Sequence, residues 1–176
     1  MFKKEKIRQN IKKLFESINS DILKEKNIQI KNKILENHMV KKSKTIWFFV
    51  WWKLEPETKG IVETLLNDWK QVFLPKIINN DEMIFSEINS INDLKIWKFG
   101  ILEPKSDDFF DKIEVFLVPG VAFTKNWKRI WKWKWYYDKY FSKNNENYKI
   151  WICYDFQVLD DFEINNFDIT MNEIIF

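Results

Sequence analysis

The sequence predicts an α/β protein, a single domain over residues 1–176. Three observations carry this. A basic stretch with apolar residues at helical spacing opens the chain. Apolar runs of strand length then alternate with a helical pattern, the β-α-β order of a parallel sheet with covering helices. No repeat, long linker or low-complexity tail divides the chain.

Ile7, Ile11, Leu14, Phe15 and Ile18 form the stripe of a helix over 2–19, and a more polar helix continues over 20–41. "KTIWFFV" (44–50) reads as a buried strand. Ile61, Leu65 and Leu66 mark a helix over 56–70, and "QVFLP" (71–75) comes next as a strand. Residues 81–104 suggest shorter strands and a turn. "KIEVFLVPG" (112–120) is the strongest buried strand, ended by Pro119 and Gly120. A helix over 136–143 and strands over 148–155 and 168–176 complete the chain.

Composition excludes several classes. A hydrophobic content of 45% with 31% charged residues excludes a disordered chain. The charged N-terminus lacks the apolar core of a secretory signal, and "IWFFVWW" (46–52) is far short of a membrane span, so a cytoplasmic protein is expected. The lone Cys153 allows no internal disulfide, and the lone His38, at a polar helix end, makes a histidine triad improbable. The net charge of +3 is too small to imply nucleic acid. Of the basic residues 27 are lysines and only two, Arg8 and Arg129, are arginines. Against that background each arginine calls for a reason, such as two-pronged binding of phosphate.

The stretch "RIWKWKWYYDKYF" (129–141) alternates tryptophan with lysine soon after the 112–120 strand. In open α/β sheets ligands sit beyond the carboxyl ends of strands, where backbone N–H groups cradle phosphate. Glycine suits that role, because no side chain keeps the anion away; tryptophan does not. The 3 glycines and 10 tryptophans together come to 13 residues in 176, near the usual share of glycine alone, about 7%. Three readings stand: a strand with one aromatic face, a stacking platform for single-stranded nucleic acid, or tryptophans standing where glycine belongs.

With tryptophan read as glycine, 119–138 becomes "PGVAFTKNGKRIGKGKGYYD", which closely resembles the signature of the 5-formyltetrahydrofolate cyclo-ligase (5,10-methenyltetrahydrofolate synthetase) family. "KEKIR" (4–8), "FFVWWKLEPET" (48–58), "NDWKQVFLP" (67–75), "FGILEP" (99–104), "YDFQ" (154–157) and "NNFDITMNEII" (165–175) resemble further family segments, so the likeness covers essentially the whole chain. All ten tryptophans (47, 51, 52, 69, 97, 127, 131, 133, 135 and 151) fall where the family has or accepts glycine. The expectation is a gene that uses UGA for glycine, read with a code that gives tryptophan. Genuine indoles at 47 and 151 are expected to overpack their strands.

The resemblance implies a three-layer α/β/α domain with a mostly parallel, Rossmann-like sheet, of the NagB/RpiA/CoA-transferase type. It implies ATP-dependent cyclisation of 5-formyltetrahydrofolate to 5,10-methenyltetrahydrofolate, with Mg²⁺. Lys4, Glu5, Lys6, Ile7 and Arg8 would contact ATP, together with Arg129, Ile130, Trp131, Lys132, Trp133, Lys134, Trp135, Tyr136 and Tyr137. Arg129, Lys132 and Tyr137 would act in catalysis. Arg8, Val50, Glu55 and Tyr137 would line the folate site, and Asp138 and Asp168 would bind the metal. The partners implied are small molecules, for a monomer that binds neither nucleic acid nor membrane. Departures from the family pattern are Lys132 for arginine, Thr124 and Asn172 for aspartate, and Glu163 for proline. Taken singly, Asp138 also reads as a helix cap, Glu55 as a turn residue and Lys132 as part of a solvated face. A nucleic-acid-binding module and an inactive cyclo-ligase relative are the alternatives.

Overall fold

The computed structural model describes residues 4–50, 54–79, 82–96, 102–125, 129–130, 140–141, 147–162 and 171–176. Four helices are α1 (Lys4–Ser17), α2 (Ser20–Glu36), α3 (His38–Lys42) and α4 (Lys59–Asn67). The strands are β1 (Thr45–Trp47), β2 (Gln71–Ile77), β3 (Met83–Ile88), β4 (Leu94–Ile96), β5 (Leu102–Pro104), β6 (Val115–Val118), β7 (Ala122–Thr124), β8 (Arg129–Ile130), β9 (Tyr148–Ile152), β10 (Val158–Leu159) and β11 (Glu173–Ile175). This is the mixed α/β class that the alternating pattern predicts.

The main sheet has the order β11-β9-β6-β1-β2-β3, parallel throughout except for β3, which runs antiparallel to β2 at one edge. Its central strands are buried along their whole length, as a parallel sheet covered on both faces demands. Of two smaller sheets, β4-β5 falls within the shorter strands expected over 81–104, whereas β10-β7-β8 was not expected from the sequence. The strands β7, β8 and β10 are two or three residues long, too short to show a period.

The single helix expected over 20–41 is two. Asn37 ends α2, and its side-chain carbonyl accepts the N–H groups of Met39 and Val40, which starts α3. Helix α4 buries Ile61, Val62 and Leu65 and packs on β2. It ends with two reversed bonds, the N–H of Trp69 to the carbonyl of Leu66 and the N–H of Lys70 to that of Leu65, at 3.1 and 3.0 Å. This is the glycine-type helix stop. Trp69 occupies its left-handed position, with φ of 59°, while its indole stands 94% exposed.

Trp47 and Trp151 are fully buried. Trp47 lies 5.7 Å from the Phe116 ring and 5.8 Å from Phe85, and Trp151 lies 4.9 Å from Phe123. These are ordinary aromatic packing distances. The fold seats both indoles in its core. The helix expected over 136–143 shows only its helical residues 140 and 141 within the described part.

Candidate active site

Strand order locates the site. From β1 the chain moves outward to β2 on one side, then returns to lay β6, β9 and β11 on the other. The connections thus diverge between β1 and β6, and the crevice beyond the carboxyl ends of those two strands is the natural ligand position in an open α/β sheet. Beyond β1 lie Val50, at the end of the strand's extended run, and Glu55, both partly buried. Beyond β6 come Pro119 and Gly120, then β7 and β8, with β8 carrying Arg129 and Ile130.

Two polar side chains, Gln157 and Asn27, brace these exits. The Gln157 side chain, wholly buried, donates from Nε2 to the carbonyls of Val121 at 3.0 Å, Gly120 at 3.1 Å and Leu54 at 3.4 Å. Its Oε1 accepts the N–H of Tyr154 at 2.7 Å. Asn27 of α2 accepts through Oδ1 from the Glu57 N–H at 3.0 Å and from the Tyr154 hydroxyl at 2.9 Å. Glu55 therefore sits between two anchored residues, Leu54 and Glu57. Burial pushes the Tyr154 phenol up to about 12, so it stays protonated and donates.

The N-terminal segment joins from α1. Ile7 and Ile11 are buried with Val121, Ala122, Ile130 and Phe162 in a small apolar cluster of their own. The period that buries Ile7 leaves Lys4 and Arg8 partly exposed on the same helix, which packs Ile7 and Ile11 against Val121 and Ala122. Arg8 meets Glu5 at 3.4 Å, a solvent-exposed pair of the weak kind. Glu5 and Lys6 are exposed. Ile7 and Ile130, both expected at the nucleotide, bury their side chains in the cluster, which leaves only their backbone to face a ligand.

Of the expected site residues, Lys4, Arg8, Val50, Glu55, Arg129 and Ile130 are among the described residues; α1 packs on Val121, Ala122 and Ile130, and the Gln157 amide joins Leu54, next to Glu55, to Gly120 and Val121. Trp131, Lys132, Trp133, Lys134, Trp135, Tyr136, Tyr137, Asp138 and Asp168 lie outside the described residues. Among the described residues no three His, Cys, Asp or Glu side chains group as metal ligands. Gln157 and Asn27 were not expected as site residues. The burial of Gln157 and the partners of Asn27 are properties of the fold, and the only sequence signal was Gln157's place in "YDFQ".

Known proteins resemble this chain in sequence and in fold. A probable 5-formyltetrahydrofolate cyclo-ligase of Schizosaccharomyces pombe is 28% identical over 92% of this chain and 88% of its own. One from Caenorhabditis elegans is 24% identical over 98% and 92%. Among solved structures, the 5,10-methenyltetrahydrofolate synthetase of Aquifex aeolicus superposes with a TM-score of 0.87, over 98% of this chain and 88% of that one, at 23% identity. That of Mycoplasma pneumoniae gives a TM-score of 0.79 over 99% and 98%, at 24% identity. Among the described residues no helix is long and apolar enough to cross a membrane. The 5-formyltetrahydrofolate cyclo-ligase family profile matches from residue 1 to residue 176, and the chain belongs to that family.

Proposed function

We propose that this protein closes 5-formyltetrahydrofolate to 5,10-methenyltetrahydrofolate at the expense of ATP, in the crevice between β1 and β6, as one domain over residues 1–176. The observation that supports this reading is the meeting of three segments: Leu54 and Glu55 after β1 for the folate, joined by the Gln157 amide to Gly120 and Val121 after β6 for the nucleotide, with α1, which carries Lys4 and Arg8, packed on that same chain. The formyl oxygen attacks the γ-phosphorus and ADP departs. N10 then attacks the activated formyl carbon, phosphate leaves with the oxygen, and N10 loses its proton as the ring closes. Such a reaction needs positioning and charge neutralisation more than a protein nucleophile.

Lys4, Arg8, Arg129 and Lys132 hold phosphate oxygens in this scheme. The backbone of 129–137 cradles the nucleotide, Val50 and Glu55 line the folate, and Tyr137 stacks on the pterin. Asp138 and Asp168 would hold Mg²⁺; two carboxylates completed by phosphate oxygens are the donor set this hard cation takes, and it would neutralise phosphate charge. The protein works as a cytoplasmic monomer on small molecules, without nucleic acid. Trp47 and Trp151, buried among phenylalanines, offer no stacking platform, which speaks against the nucleic-acid reading. Trp69 occupies a left-handed helix stop, which supports glycine as the residue the backbone requires there. Position 69 is the described member of the ten at which conformation itself favours glycine.

The test monitors methenyltetrahydrofolate absorbance. Turnover should depend on ATP, and Arg129→Ala and Asp138→Ala should each lose on the order of 10²–10³ in rate while remaining folded. Near-unchanged turnover in both variants would mean that the nucleotide binds elsewhere.

A further inference from the structure

We propose that Gln157 is a positioning residue that locks the folate turn and the nucleotide loop into one register across the β1/β6 crevice. The inference rests on the proposed cyclo-ligase site and adds to it a residue that touches neither substrate. Gln157 is the last residue of a short 3-10 turn, Asp155–Gln157, after β9. Its amide orientation is unambiguous. The side-chain oxygen faces a backbone N–H, and the nitrogen faces three backbone carbonyls, so a flipped amide would set oxygen against oxygen. Those carbonyls belong to both exits of the crevice: Leu54 precedes Glu55 on the folate side, and Gly120 and Val121 begin the loop that leads to Arg129. The two amide protons serve all three acceptors, with the Leu54 contact the longest.

The mount is rigid. The Tyr154 ring stacks on Phe156 at 5.2 Å with an 8° interplanar angle, and Lys26 meets Asp155 at 2.6 Å. The Asn27 side chain, which anchors Glu57, also takes the Tyr154 hydroxyl. A shift of β1's exit relative to β6's must therefore break bonds to a buried amide that has no water to replace them. The reaction needs that fixed spacing. The formyl oxygen comes from one side and the γ-phosphate from the other, and in-line transfer tolerates little displacement; about 1 Å of misplacement can cost on the order of 10² in rate.

Each substrate keeps its own contacts when the bridge is lost, so the expected signature is confined to kcat. In the full-length, catalytically competent protein, Gln157→Met removes the donors at similar length. Gln157→Glu keeps the acceptor for Tyr154 but turns a carboxylate toward the carbonyls. Both should lower kcat per folded molecule by on the order of 10², with KM for ATP and for 5-formyltetrahydrofolate each within about threefold of the parent. The folded fraction is measured separately by circular dichroism. A purely structural glutamine would lower the melting temperature and leave kcat per folded molecule within about twofold, and that result overturns the proposal. Should Gln157→Met not fold at the assay temperature, Gln157→Asn, one methylene short with the same amide, takes its place with the same two outcomes. Glu55→Gln and Arg129→Ala run alongside. If they lose activity and the Gln157 variants do not, the site stands and the role of Gln157 falls. If they keep activity, the site reading itself fails, and the role assigned to Gln157 falls with it.

Discussion

Replacing Trp69 by glycine should stabilise the protein, an unusual direction for removing the largest side chain. The indole is 94% exposed, so its loss forfeits almost no packing. The backbone at φ of 59° is the left-handed region, which costs a residue with a Cβ about 1–2 kcal/mol. Glycine avoids that cost but loses more freedom on folding, about 0.5–1 kcal/mol. The net gain is about 0.5–1 kcal/mol, or about 1–4 °C in melting temperature for a chain of this size. Trp69→Ala is the decisive control. It deletes the same indole and keeps the Cβ, so it should stay within about 0.5 kcal/mol of the parent. The assay is thermal and urea unfolding of the three proteins by far-ultraviolet circular dichroism. If glycine and alanine prove equal, or glycine destabilises, the backbone argument at this helix stop is wrong.

The gene should carry UGA at the ten tryptophan positions and GGN at Gly60, Gly100 and Gly120, and glycine at 131, 133 and 135 should raise ATP-dependent turnover; ten UGG codons would falsify the recoding. Lys76, 5% exposed, donates to the carbonyls of Lys105 and Ser106 at 3.0 and 2.8 Å, so Lys76→Met should cost about 2 kcal/mol in unfolding free energy. Its exposed partner Asp107 should tolerate asparagine with little change, and equal losses from both would contradict this. The Glu114 carboxylate is held below its usual range by the N–H groups of Thr45 and Lys44, despite the opposing effect of burial. Its folded value is depressed, so its stabilisation is complete above the ordinary value of 4.5 and is lost as pH falls below it toward the folded value. Glu114→Gln should therefore be less stable at neutral pH and flatter on the acid limb, as read by melting temperature between pH 7 and 3.

What the sequence makes legible here is what has a period or a motif. The stripe through Ile7 and Ile11 specifies α1 and its buried face, and the wholly apolar run Val115–Val118 specifies a central parallel strand. The resemblance supplied the candidate site residues, and the strand order points to the exits of β1 and β6 as the ligand position. The small sheet β10-β7-β8 escaped because two or three residues carry no period. The break at Asn37 escaped because a polar helix tolerates asparagine, and only the capping bonds to Met39 and Val40 reveal a boundary. Gln157 escaped for a deeper reason. A glutamine beside a tyrosine and a phenylalanine looks like a surface turn until the fold closes three carbonyls around it.

The buried Gln157 amide bears on how a chain with this inventory performs phosphoryl transfer. The only cysteine, Cys153, is buried, and burial pushes its thiol well above its ordinary value, so it is no nucleophile. The only histidine, His38, is exposed at the start of α3 and belongs to a helix turn, not to the crevice. Acid–base and covalent catalysis by these side chains are thereby ruled out, and the rate must come from placing two substrates against each other and neutralising phosphate charge. Placement of that kind cannot reside in one reactive residue. It resides in whatever fixes the exits of β1 and β6 relative to one another: the parallel pairing of the two strands and, beyond their ends, a buried amide with partners on both sides. Substitutions that loosen this joint should therefore act on turnover as strongly as substitutions of groups that touch ATP, although they lie out of contact with either substrate.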